Sequence, residues 1–177
     1  NLLKKNKPYY IINFASQSMV AESSENPIHW YKTNSYSMIN LYYSIFKIPF
    51  EKKLIHISTP EIYGSTSKKI SENRNYNPST PYAASRITAD HFLDMLHKNY
   101  NFNFCTIRAS NVYGECQKIY RIIPKTIFSI LKRKKLNLHG GGYSKRNFIH
   151  IEDVAEATYQ IMQKGRSGEI YHVCGNK

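Results

Sequence analysis

Three apolar, β-prone runs of strand length, Tyr9–Ala15, Leu54–Ser58 and Phe104–Arg108, are spaced so that each interval can hold a helix and its loops. This spacing constrains the fold more than any other feature. Two parallel strands need a crossover of roughly a dozen residues or more, and such a connection is usually helical. The runs alternate little, as strands buried on both faces do. The chain is therefore expected to be α/β, built on a parallel sheet.

The intervals have helical texture. Pro27 opens a segment to about Ile48 with Trp30, Met38, Leu41, Tyr42 and Ile45 near helical period. Thr80-Pro81 opens a second, from Tyr82 to about Tyr100, with Ala83, Ile87, Phe92, Leu93 and Leu96 as apolar positions. After Gly114 the pattern predicts a helix over Pro124–Arg133, a short strand at Leu136–Leu138, a turn at Gly140–Gly142 and a strand at Asn147–Ile151. Asp153 with Glu156 reads as a capping box for a helix to about Lys164, and Glu169–Val173 as the last strand.

Composition narrows the class. The chain has 177 residues, enough for one domain with a core, and no apolar run approaches the ~20 residues that cross a bilayer. It reads as a soluble protein with no membrane partner. Cys105, Cys116 and Cys174 are odd in number, scattered, and lack metal-ligand spacing, so no metal site and a reduced cytoplasmic setting are expected. The formal charge of +13 draws anions. Its basic groups, such as Lys132-Arg133-Lys134-Lys135, adjoin no nucleic-acid signature, and no nucleic-acid partner is expected.

In an open parallel sheet, ligands sit at the carboxyl ends of the strands. Here those ends carry Ala15-Ser16-Gln17-Ser18, Ser58-Thr59-Pro60-Glu61 and Ala109-Ser110-Asn111. Proline at 60 stops the ladder at Thr59 and exposes Glu61 in a loop. Tyr82 falls in the first turn of its helix, and Arg86 follows on the same face, within reach of the phenol or of a shared ligand. A phenol titrates near ~10, and a fixed cation beside it favours the phenolate, each tenfold gain in acidity corresponding to about 1.4 kcal/mol. The structural alternatives are a surface cation–aromatic pair for Tyr82 and Arg86, a loop cap for Thr59 and a solvated acid for Glu61.

Five segments then resemble one family in order and spacing: Asn13–Ser18, Ser58–Gly64, Pro81–Arg86, Arg108–Gly114 and Arg146–Val154. They are similar to the extended short-chain dehydrogenase/reductases of the NAD-dependent epimerase/dehydratase group, most closely the branch that dehydrates dTDP-glucose. The resemblance implies a Rossmann-like parallel sheet lacking its N-terminal glycine-rich βαβ, since no such turn precedes Tyr9, with part of a small α/β substrate domain. It divides the chain into residues 1–114, the later half of the NAD-binding domain with the catalytic residues, and 115–177, a partial nucleotide-sugar region interleaved with the sheet.

The resemblance also implies roles. Tyr82 matches the base that takes the sugar 4-OH proton, Thr59 the hydroxyl bound to the same oxygen, and Glu61 the carboxylate that removes the C5 proton. Arg86 stands where the family has lysine, and Pro60 where these dehydratases carry an aspartate acid. NAD is the implied cofactor, with Ala15, Ser16, Asn34, Ser58, Tyr82, Arg86 and Ala109 beside it. Ser18, Asn111, Arg121 and Arg146 are the implied substrate contacts, the two arginines on the diphosphate, with Gly140–Gly142 approaching the nucleotide. The expected activity is a nucleotide-sugar 4,6-dehydratase. The alternatives are a 4-epimerase, a UDP-glucuronate decarboxylase, or a non-catalytic binding homologue favoured by Arg86 and Pro60. A homodimer through helices 27–48 and 82–100 is implied, with Trp30, Tyr42 and Tyr43 read as exposed aromatics.

Overall fold

The computed structural model describes residues 2–66, 68–138, 142–143 and 145–175; Gly140 and Gly141 of the expected glycine turn lie outside them. A short helix α1 (Leu2–Asn6) leads into β1 (Tyr10–Asn13). Then come α2 (Glu22–Glu25), α3 (Pro27–Trp30), a π-helical stretch Tyr31–Ser37 and α4 (Met38–Phe46). The second strand, β2 (Lys53–Ile57), ends in a 3₁₀ turn, Pro60–Tyr63, before the long α5 (Pro81–Tyr100). The chain continues through β3 (Phe104–Ala109), β4 (Asn111–Tyr113), α6 (Ile122–Leu131), β5 (Phe148–His150), α7 (Ile151–Lys164) and β6 (Ile170–Val173).

Four strands form one parallel sheet in the order β1-β2-β3-β6, with Ile11 opposite Leu54, Ile55 opposite Cys105 and Ile107 opposite Tyr171. β4 and β5 make a separate parallel pair. Alternation along β2 and β3 divides the core. Leu54 and Phe104 pack with Met38, Tyr42, Ile45, Leu93 and Leu96 from α4 and α5, while Ile55, Cys105 and Ile107 pack with Val154 and Ile161 from α7. Helices thus cover both faces of the sheet, the α/β arrangement expected.

Several expectations are corrected. Among the described residues β1 pairs with β2 alone, and Tyr10 and Ile12 are exposed. The segment from Pro27 is helical but not uniformly α. Trp30 and Tyr42, read as exposed, are buried, and of the three aromatics only Tyr43 is on the surface. Leu136–Leu138 is irregular and has no strand partner among the described residues. Helix α7 starts three residues before the expected box; His150 is its N-cap, accepting from the Glu152 N–H at 3.4 Å, and Asp153 sits in the first turn. Its carboxyl end is closed from the sheet, where buried Lys53 donates to the carbonyls of Ile161, Met162 and Gly165 at 3.2, 3.0 and 2.7 Å.

Candidate active site

Because the strands run parallel, β1, β2 and β3 deliver their following residues to one edge of the sheet. Helix α5 returns from that edge, so its first turn lies there too. Thr80 caps it, accepting from the Ala83 N–H at 3.2 Å, and Pro81 takes the first helical position. A second cap comes from far along the chain. The Tyr82 N–H donates to Ser23 Oγ at 3.1 Å, and buried Ser23 donates to the Val20 carbonyl at 2.6 Å.

After β1, Asn13 Oδ1 accepts from the Ala15 N–H at 3.0 Å and turns the chain outward, leaving Ala15 and Ser16 exposed. Asn34, fully buried, holds the loop that follows. Its Oδ1 accepts from the Gln17 N–H at 2.8 Å, and its Nδ2 donates to the Gln17 carbonyl at 2.9 Å and to Ser85 Oγ at 3.1 Å. The π-helical stretch carries Asn34, and Ser37 Oγ bonds the Lys32 carbonyl five residues back. An extra residue in the turn re-aims a side chain that a regular α-helix would point elsewhere. Trp30 Nε1 donates to the Ser18 carbonyl at 3.1 Å, which explains the burial of that indole.

After β2, Ser58 turns inward and donates to both oxygens of Asp90 at 2.9 Å, so its side chain serves the core. Thr59 caps the 3₁₀ turn, accepting from the Glu61 N–H at 3.3 Å. Its hydroxyl keeps its proton for donation elsewhere. Gly64 ends the turn at φ +71°, and a Cβ there would strike the Asn77 carbonyl. This turn packs against α5, the helix that carries Tyr82. Glu61, partly exposed, reaches Arg146 with Oε1 to Nη1 at 3.4 Å.

Arg86 is 2% exposed, which excludes a surface cation–aromatic pair with Tyr82. Its Nη2 donates to the Ile57 carbonyl, turning the guanidinium toward the end of β2 and not onto the phenol. Its Nε and Nη1 are buried with no acceptor among the described residues, and Ser110 Oγ at the end of β3 is likewise unpartnered. Orphaned buried donors are costly, at about 1–3 kcal/mol each. Ala109 is half-buried; Asn111 is exposed and donates to the Asn147 carbonyl at 3.3 Å. Arg121 Nη2 donates to Ser18 Oγ at 3.1 Å. The structure thus joins Arg121 to Ser18, Arg146 to Glu61, and Asn34 to the loop after Ala15 and Ser16.

Beneath these loops runs a buried polar chain that the sequence reading missed. Asn13 Nδ2 donates to Tyr42 Oη at 3.0 Å, Tyr42 Oη meets His56 Nδ1 at 2.5 Å, and His56 Nε2 meets Asp90 Oδ1 at 2.8 Å. Arg108 Nη2 donates to Asp90 Oδ2 at 2.8 Å and to Tyr76 Oη at 2.9 Å; its Nη1 donates to Tyr63 Oη and to the Asn73 carbonyl. Burial raises the Asp90 carboxyl, but the His56 hydrogen bond and the Arg108 guanidinium outweigh it and hold the group down to about 2. Burial pushes the His56 imidazole down and the Tyr42 phenol up. Asp90, Ser23 and Ser85 have a sequence signal for one of them only: Ala83, Arg86, Asp90 and Leu93 form a single stripe at helical spacing.

Comparison with known proteins adds identity to this geometry. The model of the NAD dependent epimerase/dehydratase family matches residues 1–174. The dTDP-D-glucose 4,6-dehydratase of Homo sapiens is 34% identical over 176 residues, covering 99% of this chain and 50% of its own length. The dTDP-glucose 4,6-dehydratase from Bacillus anthracis, solved in complex with NAD, superposes with a TM-score of 0.88 at 32% identity, over 99% of this chain and 54% of its own. The UDP-glucuronic acid 4-epimerase from Bacillus cereus, solved with UDP-glucuronic acid and NAD, reaches 0.89 at 26% identity, over 99% and 57%. The chain spans about half the length of the curated relatives it matches.

Proposed function

Because this chain belongs to the NAD dependent epimerase/dehydratase family, we propose that it is the catalytic-centre portion of a nucleotide-sugar 4,6-dehydratase, a lyase acting on dTDP-glucose or a close relative. The observation that carries this reading is Glu61. It stands, partly exposed, in the turn directly after β2, and that turn packs against α5, whose first turn carries Tyr82. An acid in that place has work in an elimination and none in a simple inversion at C4. The names of the relatives support the same branch.

In this reading Tyr82, acting as its phenolate, takes the proton of the sugar 4-OH, and the Thr59 hydroxyl donates a hydrogen bond to the same sugar oxygen. The chemistry supplied by bound NAD is acceptance of hydride from C4 and its return at C6. The buried donors Arg86 Nε and Nη1 and Ser110 Oγ have no acceptor among the described residues and fit a ligand rich in hydroxyl and amide oxygens. Ala15, Ser16, Asn34, Ser58 and Ala109 frame the same edge. Glu61 then removes the C5 proton, made acidic by the ketone at C4. Pro60 has no proton to give, so Glu61 returns that proton to the departing C6 hydroxyl, and water leaves. As hydride returns at C6 a proton reaches C5 from solvent, matched by the proton Tyr82 took from the 4-OH, so the sum is loss of one water. Arg121 and Arg146 take the diphosphate, with Ser18 and Asn111 beside the sugar.

The test is an assay of the full-length protein with dTDP-glucose and NAD, read by mass spectrometry. Loss of one water is the expected result. Glu61→Gln lowers dehydration by about 10²–10⁴-fold, the range of a lost acid–base group. A second reading, a 4-epimerase, is favoured by Pro60, which replaces the expected acid; inversion at C4 without loss of water selects it.

A further inference from the structure

Both arginines assigned to the diphosphate are already engaged by side chains of the candidate site. Arg121 holds the Ser18 hydroxyl at 3.1 Å, and Arg146 lies 3.4 Å from Glu61. The two contacts differ in kind. Ser18 is neutral, and giving it up removes no charge partner. Glu61 is the acid on which the elimination depends, and its one ion pair among the described residues is with Arg146. From this juxtaposition we propose that a bound nucleoside diphosphate draws Arg146 away from Glu61, so that the carboxylate is free to turn to the sugar only when the diphosphate is seated. The inference rests on the nucleotide-sugar reading and adds an order of events to it.

The exchange follows from the strengths involved. Glu61 belongs to the turn after β2 and Arg146 to the stretch before β5, so the pair is a tie between two segments and not a local helix contact. Its single N···O approach of 3.4 Å is long for a charge-assisted hydrogen bond, and Arg146 is 53% exposed. An exposed pair of this kind shifts an equilibrium by only about two- to five-fold. A diphosphate carries more charge than one carboxylate, and its oxygens accept both arms of a guanidinium fork. It therefore wins the competition for Arg146. Binding energy from a part of the substrate that does not react is thereby used to ready the group that does.

The experiment measures binding of dTDP and of UDP, without a sugar and without turnover, by titration calorimetry on the full-length protein. Glu61→Gln is expected to tighten the diphosphate by about two- to five-fold, because Arg146 no longer has to leave a carboxylate. Arg146→Gln is expected to weaken it. The double variant is expected to bind as Arg146→Gln does alone, since without the guanidinium there is no partner to compete for. Equal affinity of wild type and Glu61→Gln overturns the exchange, and so does the same tightening from Glu61→Gln in both backgrounds, which reports general charge removal. Either result leaves the nucleotide-sugar reading standing. Failure of the wild type to bind either nucleotide overturns both.

Discussion

His56 Nε2 lies 2.8 Å from Asp90 Oδ1, and both side chains are buried. Asp90 also receives Arg108 and Ser58, so it is an ionised acceptor on both oxygens. That assigns the proton between them to Nε2. The other ring nitrogen, Nδ1, must then accept, and the Tyr42 hydroxyl donates to it while accepting from Asn13. One carboxylate sets the direction of every bond back to the loop after β1.

This network gives stability a pH dependence with a definite sign. The His56 imidazole is depressed in the fold, so below about 6.5 the unfolded chain takes up a proton that the native chain refuses. Stability is therefore lost as pH falls, at up to about 1.4 kcal/mol per pH unit for this group. Asp90, held to about 2, adds a contribution that is complete above the ordinary carboxylate range near ~4 and disappears as pH falls through about 2. Denaturation midpoints measured from pH 8 to pH 4 are expected to be level at first and then to decline below 6.5. A level profile down to pH 5 contradicts the assignment.

Asp90→Asn strips the counter-charge from buried Arg108 and from the bonds of His56 and Ser58. The expected loss is about 3–5 kcal/mol, as for breaking a buried pair from one side. Arg74→Ala opens a half-exposed bidentate pair with Asp94 and the bond to the Gly168 carbonyl, and is expected to cost less, about 1–2 kcal/mol. Comparing the two by urea denaturation separates buried from exposed pairing in one protein.

Asn34→Ala deletes three hydrogen bonds in a fully buried place and strands both backbone groups of Gln17. A destabilisation of about 2–4 kcal/mol is expected. Weaker NAD binding is expected alongside it, because the loop carrying Ala15 and Ser16 loses its anchor. Calorimetric titration with NAD checks the second part below the melting temperature.

Tyr82→Phe removes a hydroxyl that has no hydrogen-bond partner among the described residues, while the caps at Ser23 and Thr80 act on backbone groups. Stability is expected to change by less than about 0.5 kcal/mol, and turnover to fall by about 10²–10⁴-fold. A variant that keeps its turnover removes Tyr82 from the role of base.

The strands β2 and β3 were legible because continuous apolar runs have few other uses, and the start of α5 because Thr80-Pro81 has a clear capping chemistry. An apolar run such as Tyr9–Ala15 records what a strand can bury and not which neighbours it has. Leu136–Leu138 failed as a strand for that reason: its residues favour one, but no partner strand lies beside it among the described residues. His150 displaced Asp153 as cap because the strand pairing of Phe148–His150 decides where α7 can begin. At the site, the groups on loops were found by their position after strands. Arg86 and Asp90 were harder, because charge on a helix normally signals solvent. Their place in the stripe between Ala83 and Leu93 is the only trace of their burial that the sequence carries.

The π-helical stretch has a consequence for how this chain can change. Deleting one residue between Tyr31 and Ser37 would restore regular winding and improve the helix as a helix. The wide turn already absorbs the extra residue, so the flanking α3 and α4 would keep their places, but residues inside the stretch would be re-aimed, swinging Asn34 off Gln17 and Ser85. Length in this one stretch is thus under a constraint that substitution is not: residues there can be exchanged for others of similar shape, but their number cannot drift without dismantling the mouth of the sheet.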